Sequence, residues 1–287
     1  MLSGVMSSGR AKPGTALAGV RSSGRAKPGT ALAGVRSSGR AKPGTTPAGM
    51  RWSIVIPVKR LALAKTRLSA ALAGSTPDNL LPADQAAADQ PAAEDQLPAN
   101  GRIALAMASD TVCAALASTS VADIVVVTDD RLAAATLSAL GARVVPDAPD
   151  DGLNAALRYG AGLAVVHRPD AAVAALSADL AALRPGELTE ALEQATGYRR
   201  AFVADVQGTG TTLLSALPGH DLEPRFGIGS ARAHRRHGAH LLAGDWPTLR
   251  RDVDTPADVA VAARLGLGPA TAAQLAVLAP GLVACAC

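Results

Sequence analysis

Cations and carboxylates are sorted along this chain in a way that suits polyphosphate chemistry. In "WSIVIPVKRLALAKTRLS", Trp52 to Ser69, an apolar run ends and Lys59, Arg60, Lys65 and Arg67 follow with no acid among them. Just past a strand, such cations and backbone N–H groups would hold a triphosphate and stabilise a departing pyrophosphate. The spacing is not the G-x-x-x-x-G-K-[ST] of a Walker loop, and a solvated basic loop has the same composition. Asp179, in "ALSADLAAL", closes an apolar run. A carboxylate fixed there is a hard oxygen ligand for Mg²⁺, or a helix cap, since Pro185 opens a helix soon after. In "RRDVDTPADVA", Asp252 and Asp254 alternate, so an extended segment points both to one side. Carboxylates so placed repel, and a cation between them removes that cost. One of the pair could equally be a cap. Asp258 is assigned to the dipole of the helix that follows.

A second group of residues offers donors to an anion. "GTGTT", Gly208–Thr212, and "RFGIGSARAHRRHG", Arg225–Gly238, combine glycines, hydroxyls and arginines. Gly229-Ser230 opens a helical run, and a helix start attracts anions. His234 and His237 stand three apart on that basic helix without a third ligand nearby. They are read as surface residues and not as a zinc pair.

These groups need a frame that brings strand ends together. Strands are predicted at Ser53–Val58, Asp123–Thr128, Ala142–Val145, Ala171–Ser177 and Ala201–Ala204, the run "DIVVVT" being apolar throughout as in a strand buried on both faces. Helices are predicted at Gly101–Ser118, Arg131–Leu140, Asp151–Val166, Pro185–Ala195 and Thr255–Leu265. The segment "DVQGTGTT" is read as a loop, and Ala70–Asn100, rich in Pro, Asp and Gln, as a polar insertion. Alternation of this kind means an α/β three-layer sandwich with a mostly parallel sheet. Ligands on such sheets bind at the carboxyl ends of the strands, where each motif above falls.

Composition narrows the function classes. The sequence has 287 residues, 48% of them apolar and 2% aromatic, enough for a large core but poor in rings for stacking bases. Residues 1–49 hold eight Lys/Arg and no acid, and the other 20 cations face 24 acids, a net of −4. The basic character thus belongs to the N-terminal segment, and a nucleic-acid-binding domain is disfavoured. There "SSGRAKPGTALAGVR" occurs at 7–21 and 22–36 and, altered, at 37–51. A repeat of Gly, Ser, Pro and cations cannot bury a core, so 1–49 is expected to be disordered. It is read as a tandem duplication, with Met50 a plausible initiator, or as a basic arm for anionic partners. No apolar leader is visible, and Cys113, Cys285 and Cys287 form no C-x-x-C, which fits a reducing cytoplasm. The 23 uncharged residues from Leu265 to Cys287 include Pro269 and Pro280. They are read as a short surface helix and a tail from 276 to 287, not as a membrane span.

In order along the chain, "IPVKRLALAKTRL", "DGLNAAL", "ADLAAL", "VADVQGTGTTLL", "PRFGIGSARAHRRHGA" and "DVDTPADV" resemble the 2-phospho-L-lactate/phosphoenolpyruvate guanylyltransferase family of coenzyme F-420 biosynthesis, its actinobacterial members most. The resemblance runs from about Arg51 to Leu275. It implies a nucleotidyltransferase fold over 50–275 and transfer of GMP from GTP to the phosphate of a three-carbon acid. It implies metal carboxylates at Asp179, Asp252 and Asp254, with Mg²⁺ the expected ion. Phosphoenolpyruvate binding falls on Thr211, Gly227 and Ser230. GTP phosphates fall on Lys59, Arg60, Lys65 and Arg67, with Lys59, Lys65 and Arg67 assisting catalysis, and Asn154 falls near the nucleotide. The product would pass to the next enzyme of the pathway. Two departures stand out: the insertion at 74–100 is longer than in relatives, and "ADLAAL" lacks the Pro usual after Asp-Leu. A molybdenum-cofactor or sugar-phosphate nucleotidyltransferase would carry a "GGxSxRMGxxK"-like first loop, which is not present. A non-catalytic nucleotide-binding protein is the alternative of another class, against which three clustered acids weigh.

Overall fold

The strand before the cations is β1 (Trp52–Pro57), and its side chains divide by parity. Trp52, Ile54 and Ile56 enter one core while Val55 enters another, as the two-residue period of a strand dictates. The same division holds in β2 (Val121–Val127), where Ile124 and Val126 oppose Val125 and Val127. A strand apolar on both faces needs cover on both faces, and helices supply it.

The computed structural model describes residues 49–64 and 97–280. The repeats up to residue 48, Lys65, Arg67, most of the 74–100 insertion and residues 281–287 lie outside the described residues. The remaining strands are β3 (Arg143–Val145), β4 (Ala172–Leu176), β5 (Arg200–Ala204), β6 (Thr211–Ala216) and β7 (His240–Leu241). They form one sheet in the order β3-β2-β1-β4-β6-β5-β7. All neighbours are parallel except β6, which runs antiparallel to both β4 and β5. The mostly parallel α/β sheet is as predicted, but β6 and β7 were not. All of "TTLLSA" in β6 is buried, and the Gly-hydroxyl turn before it disguised its start as loop.

The helices are α1 (Ala99–Leu116), α2 (Arg131–Ala139), α3 (Leu153–His167), α4 (Pro185–Ala195), α5 (Ser230–Arg236), α6 (Pro256–Leu265) and α7 (Pro269–Leu278). Helix α1 starts two residues earlier than predicted, with Pro98 as its N-cap. Buried Asn100, on its first turn, donates to the Ala64 carbonyl. Helix α3 starts at Leu153 and not Asp151, because Gly152 takes the N-cap with a φ of 78°. Gly160 lets α3 press on the sheet: a Cβ there would lie 2.6 Å from a Val55 methyl and 2.7 Å from a Val127 methyl. Helices α6 and α7 share a third cluster with α1, built on Ile103, Met107, Val259 and Leu275. Asp110 of α1 caps α7, accepting from Ala270 N–H at 3.0 Å and Thr271 N–H at 2.7 Å. Among the described residues no helix is long and apolar enough to cross a membrane.

Candidate active site

The cationic loop leaves β1 under tight control. Val58 N–H donates to the Val127 carbonyl at 2.9 Å, and Leu61 N–H donates to the Asp130 carboxylate at 2.9 Å. The other oxygen of Asp130 caps α2, accepting from Leu132 and Ala133 N–H at 3.1 and 3.0 Å. One carboxylate therefore ties the start of the loop to a helix. Between these anchors Lys59 and Arg60 are exposed at the carboxyl edge of β1. Arg60 has a partner in Asp129, 4.0 Å away, where exposure leaves little net attraction.

β4 is followed at the same edge by Ser177-Ala178-Asp179. Asp252, Val253 and Asp254 run beside it: Val253 N–H donates to the Asp179 carbonyl at 3.2 Å, and the Val253 side chain is buried. Further back Arg250 holds the end of β5, its guanidinium donating to the Ala204 and Asp205 carbonyls, each at 3.2 Å. With Val253 turned inward, Asp252 and Asp254 flank it. The Asp252 carboxyl is pushed up to about 6, first by burial, then by the negative charges of Asp179, Asp254 and Asp205. The structure thus brings the three sequence-derived acids into electrostatic contact. Among the described residues, however, no group of three or more His, Cys, Asp or Glu is arranged as a ready metal cage. Asp258 closes a capping box with Thr255, the helix-start role expected of it.

Because β6 is antiparallel, its first residue lies at the carboxyl edge of its neighbours. Ser177 N–H donates to the Thr212 carbonyl at 2.9 Å, setting the end of β4 against the start of β6. Thr211 and Ser230 are both buried, and the Ser230 hydroxyl donates to Thr211 Oγ1 at 3.2 Å. Gly227 is exposed with a φ of 127°, and Gly229 is left-handed at the N-cap of α5. Asn154 grips the same loop: its amide donates to the Phe226 carbonyl at 3.0 Å and accepts from Phe226 N–H at 2.7 Å. Thr211, Gly227, Ser230 and Asn154 are therefore joined in one structure.

His234 was not foreseen. It is buried, contrary to the surface position expected from its basic neighbours, whereas His237 is exposed as expected. Helical spacing explains the difference: His234 lies a turn after Ser230 and Ala231, both buried, so it shares their inward face. Its ring meets Thr211 Oγ1 and Arg225 N–H, each at 2.9 Å. Both phenylalanines of the chain pack on it, with ring centroids 5.2 Å away for Phe226 and 5.8 Å for Phe202. Burial, then the charges of Arg225, His237 and Arg200, lower its pKa to about 4.

No family model matches the chain. A phosphoenolpyruvate guanylyltransferase of Thermomonospora curvata is 52% identical over 226 residues, covering 78% of this chain and 89% of the relative. A phosphoenolpyruvate guanylyltransferase of Streptomyces scabiei is 52% identical over 239 residues, covering 80% of this chain and 99% of the relative. Among solved structures, a protein of Desulfovibrio desulfuricans G20 assigned to the nucleotide-diphospho-sugar transferases aligns with a TM-score of 0.53 at 16% identity, over 83% of this chain and 98% of its own. That likeness is one of fold: the two chains share the same α/β sandwich. Identity near one half over most of each relative carries further: the chain belongs to the phosphoenolpyruvate guanylyltransferase family.

Proposed function

We propose that the chain transfers GMP from GTP to the phosphate of phosphoenolpyruvate, giving enolpyruvyl-diphospho-guanosine and pyrophosphate, with 2-phospho-L-lactate the alternative acceptor. The carrying observation is the shared sheet edge. The cationic loop, the acids around Asp252 and the buried Thr211–Ser230 hydroxyls all meet it, a charge pattern suited to joining two phosphates. The names of the relatives support the same acceptor and nucleotide.

The reaction is an in-line displacement. An anionic oxygen of the acceptor phosphate attacks the α-phosphorus of GTP, and the bond to the β-phosphate oxygen breaks. The attacking oxygen is already ionised, so no general base is needed. Lys59, with Lys65 and Arg67 further along the loop, stabilises charge on the departing pyrophosphate. Arg60 adds to the cationic cradle. Thr211, the Gly227 backbone and Ser230 hold the acceptor phosphate, and Asn154 keeps the Phe226–Gly227 turn in place beside the nucleotide.

Asp179, Asp252 and Asp254 would hold Mg²⁺. The donor set fits: a carboxyl pushed up to about 6, first by burial and then by neighbouring acids, is one that a cation would relieve. An incomplete protein cage also fits, because Mg²⁺ ordinarily takes one or two carboxylates together with waters and substrate phosphates. When bound, the ion lowers repulsion between the two anionic substrates.

The test is a matrix of nucleotides against phosphoenolpyruvate, 2-phospho-L-lactate and 3-phospho-D-glycerate, read by pyrophosphate release and product mass. The reading expects the GTP and phosphoenolpyruvate pair to dominate. A different preferred pair would replace it. Asp252→Ala should keep the fold and lose transfer, and pyrophosphate at the parental rate would remove Asp252 from the metal set. Residues 50–275 are proposed to carry the activity in the cytoplasm, with 1–49 dispensable and the product handed to a following enzyme. Unchanged kinetics after deletion of 1–49 would support that boundary.

A further inference from the structure

The tautomer of His234 follows from its partners. Its Nε2 accepts from Arg225 N–H at 2.9 Å. A backbone amide only donates, so Nε2 carries no hydrogen. The neutral ring then carries its hydrogen on Nδ1, 2.9 Å from Thr211 Oγ1. The ring is thus the donor and the hydroxyl the acceptor. Ser230 Oγ donates to the same Thr211 oxygen at 3.2 Å. Two donors occupy the two lone pairs of Thr211, and what remains to it is its own hydrogen.

We infer that His234 is a positioning residue which, together with Ser230, makes the Thr211 hydroxyl an obligate hydrogen-bond donor to an anionic oxygen of the acceptor. The inference rests on the proposed function, which gives Thr211 and Ser230 the acceptor phosphate. A free threonine hydroxyl turns to donate or accept and so recognises either kind of group. Held from both sides, it selects an oxygen that only accepts, as a fully ionised phosphate or carboxylate does. The burial of all three side chains keeps water from substituting for either donor. His234 does a second job through its other nitrogen. Nε2 fastens the backbone at Arg225, next to the Phe226 backbone held by Asn154. The hydroxyl arm and the loop arm thus leave from different atoms of one ring.

That separation supplies the test. The Nδ2 of asparagine stands where Nδ1 of histidine does along the side chain, and the Oε1 of glutamine reaches as far as Nε2. H234N keeps a donor for Thr211, whereas H234Q keeps an acceptor for Arg225. With the full chain, Mg²⁺, GTP and phosphoenolpyruvate, H234Q should raise the acceptor KM by about 10- to 100-fold, the range for a hydrogen bond to a charged group. The KM for GTP should hold, and H234N should recover most of the loss. On a Thr211→Val background H234Q should add nothing further. Equal rises in H234N and H234Q, an equal rise in the KM for GTP, or multiplying effects of H234Q and Thr211→Val would each overturn the inference. Nitrogen-15 NMR of the imidazole in the full chain tests it without substrate. The hydrogen should reside on Nδ1, and a hydrogen on Nε2 would refute it. A parent inactive with phosphoenolpyruvate and every nucleotide would end the proposed function, while the NMR result would still decide the tautomer.

Discussion

Acid should destabilise this protein through His234, by an amount that its environment sets. The ring has an ordinary pKa of 6.5 in the unfolded chain and about 4 in the folded one. The unfolded state therefore binds more protons between those values, and stability falls as pH falls. The contribution is fully present above 6.5 and lost as pH drops through about 4. At 1.36 kcal/mol per pH unit the loss approaches about 3 kcal/mol, a large share of the roughly 5–15 kcal/mol typical of a domain. The structural reason is specific. A proton added to Nε2 would face Arg225 N–H, and the imidazolium would sit between phenylalanine rings near Arg225, His237 and Arg200. Asp252 acts in the opposite sense. Its folded pKa is raised to about 6, so the cost of its ionisation at neutral pH is relieved as pH falls through that value. The parent's stability curve sums the two, and only comparison with a variant that cannot titrate isolates the imidazole. The assay is urea unfolding of the full chain and of His234→Asn from pH 7 down to about 4. Whatever the asparagine costs at pH 7, the gap between the curves should shrink by about 3 kcal/mol toward acid. Parallel curves would refute the claim that the buried ring is neutral by necessity.

Other perturbations separate the parts of the site. Asp130→Ala removes both the α2 cap and the anchor of Leu61 N–H; it should cost about 1–2 kcal/mol in chemical unfolding and raise the KM for GTP. Asn154→Ala frees the Phe226 backbone on both its hydrogen-bonding groups, so steady-state kinetics should show a loss of several-fold or more in kcat/KM with only a modest change in melting temperature. Lys65→Ala should impair use of GTP, and unchanged kinetics would leave that lysine as a solvated residue. Adding Mg²⁺ with GTP should raise the melting temperature of the parent more than of Asp252→Asn, and equal shifts would argue against a cation between the acids.

Much of the arrangement of this candidate site was legible because it follows simple periods. Alternation in "DVD" set Asp252 and Asp254 on either side of a buried valine, and the apolar run before Asp179 marked a strand end. The capping role of Asp258 followed from its place after Thr255 and Pro256. His234 escaped because its neighbours misled: four of the seven residues of α5 are Arg or His, and a helix so basic reads as solvated. The signal was in the spacing from Ser230, one turn earlier and already singled out for its hydroxyl. Polar residues a turn apart, one of them a binding candidate, warrant the suspicion that they share a buried face. The anchoring of the cationic loop by Asp130 was beyond reach, since 69 residues separate the carboxylate from Leu61 and only the pairing of β1 with β2 joins them.

The direction of β6 decides whether the site exists. In a wholly parallel sheet the residue opening a strand lies at the amino edge, so Thr211 would stand a strand length from Asp179. The reversed strand instead sits between β4 and β5, which run alike, and carries its first residue to their carboxyl ends. The turn that allows the reversal is built on Asp205, buried at the end of β5, whose carboxylate accepts from Thr209 and Gly210 N–H, each at 2.8 Å. A Cβ at Gly210 would come within 2.4 Å of that carboxylate, so a side chain there would displace the group that holds the turn. The "GTG" that resembled a phosphate-binding loop therefore has a demonstrable structural duty. It reverses the chain in six residues, between Ala204 and Thr211, so that the start of an antiparallel strand lies beside the end of parallel β4, from which the chain runs on to Asp179. Asp205→Asn tests this directly. The amide keeps the size of the carboxylate but loses charge and one acceptor, so if the turn sets the geometry, acceptor KM should rise while the KM for GTP holds. An equal change in both would assign Asp205 to the electrostatics around Asp252 instead.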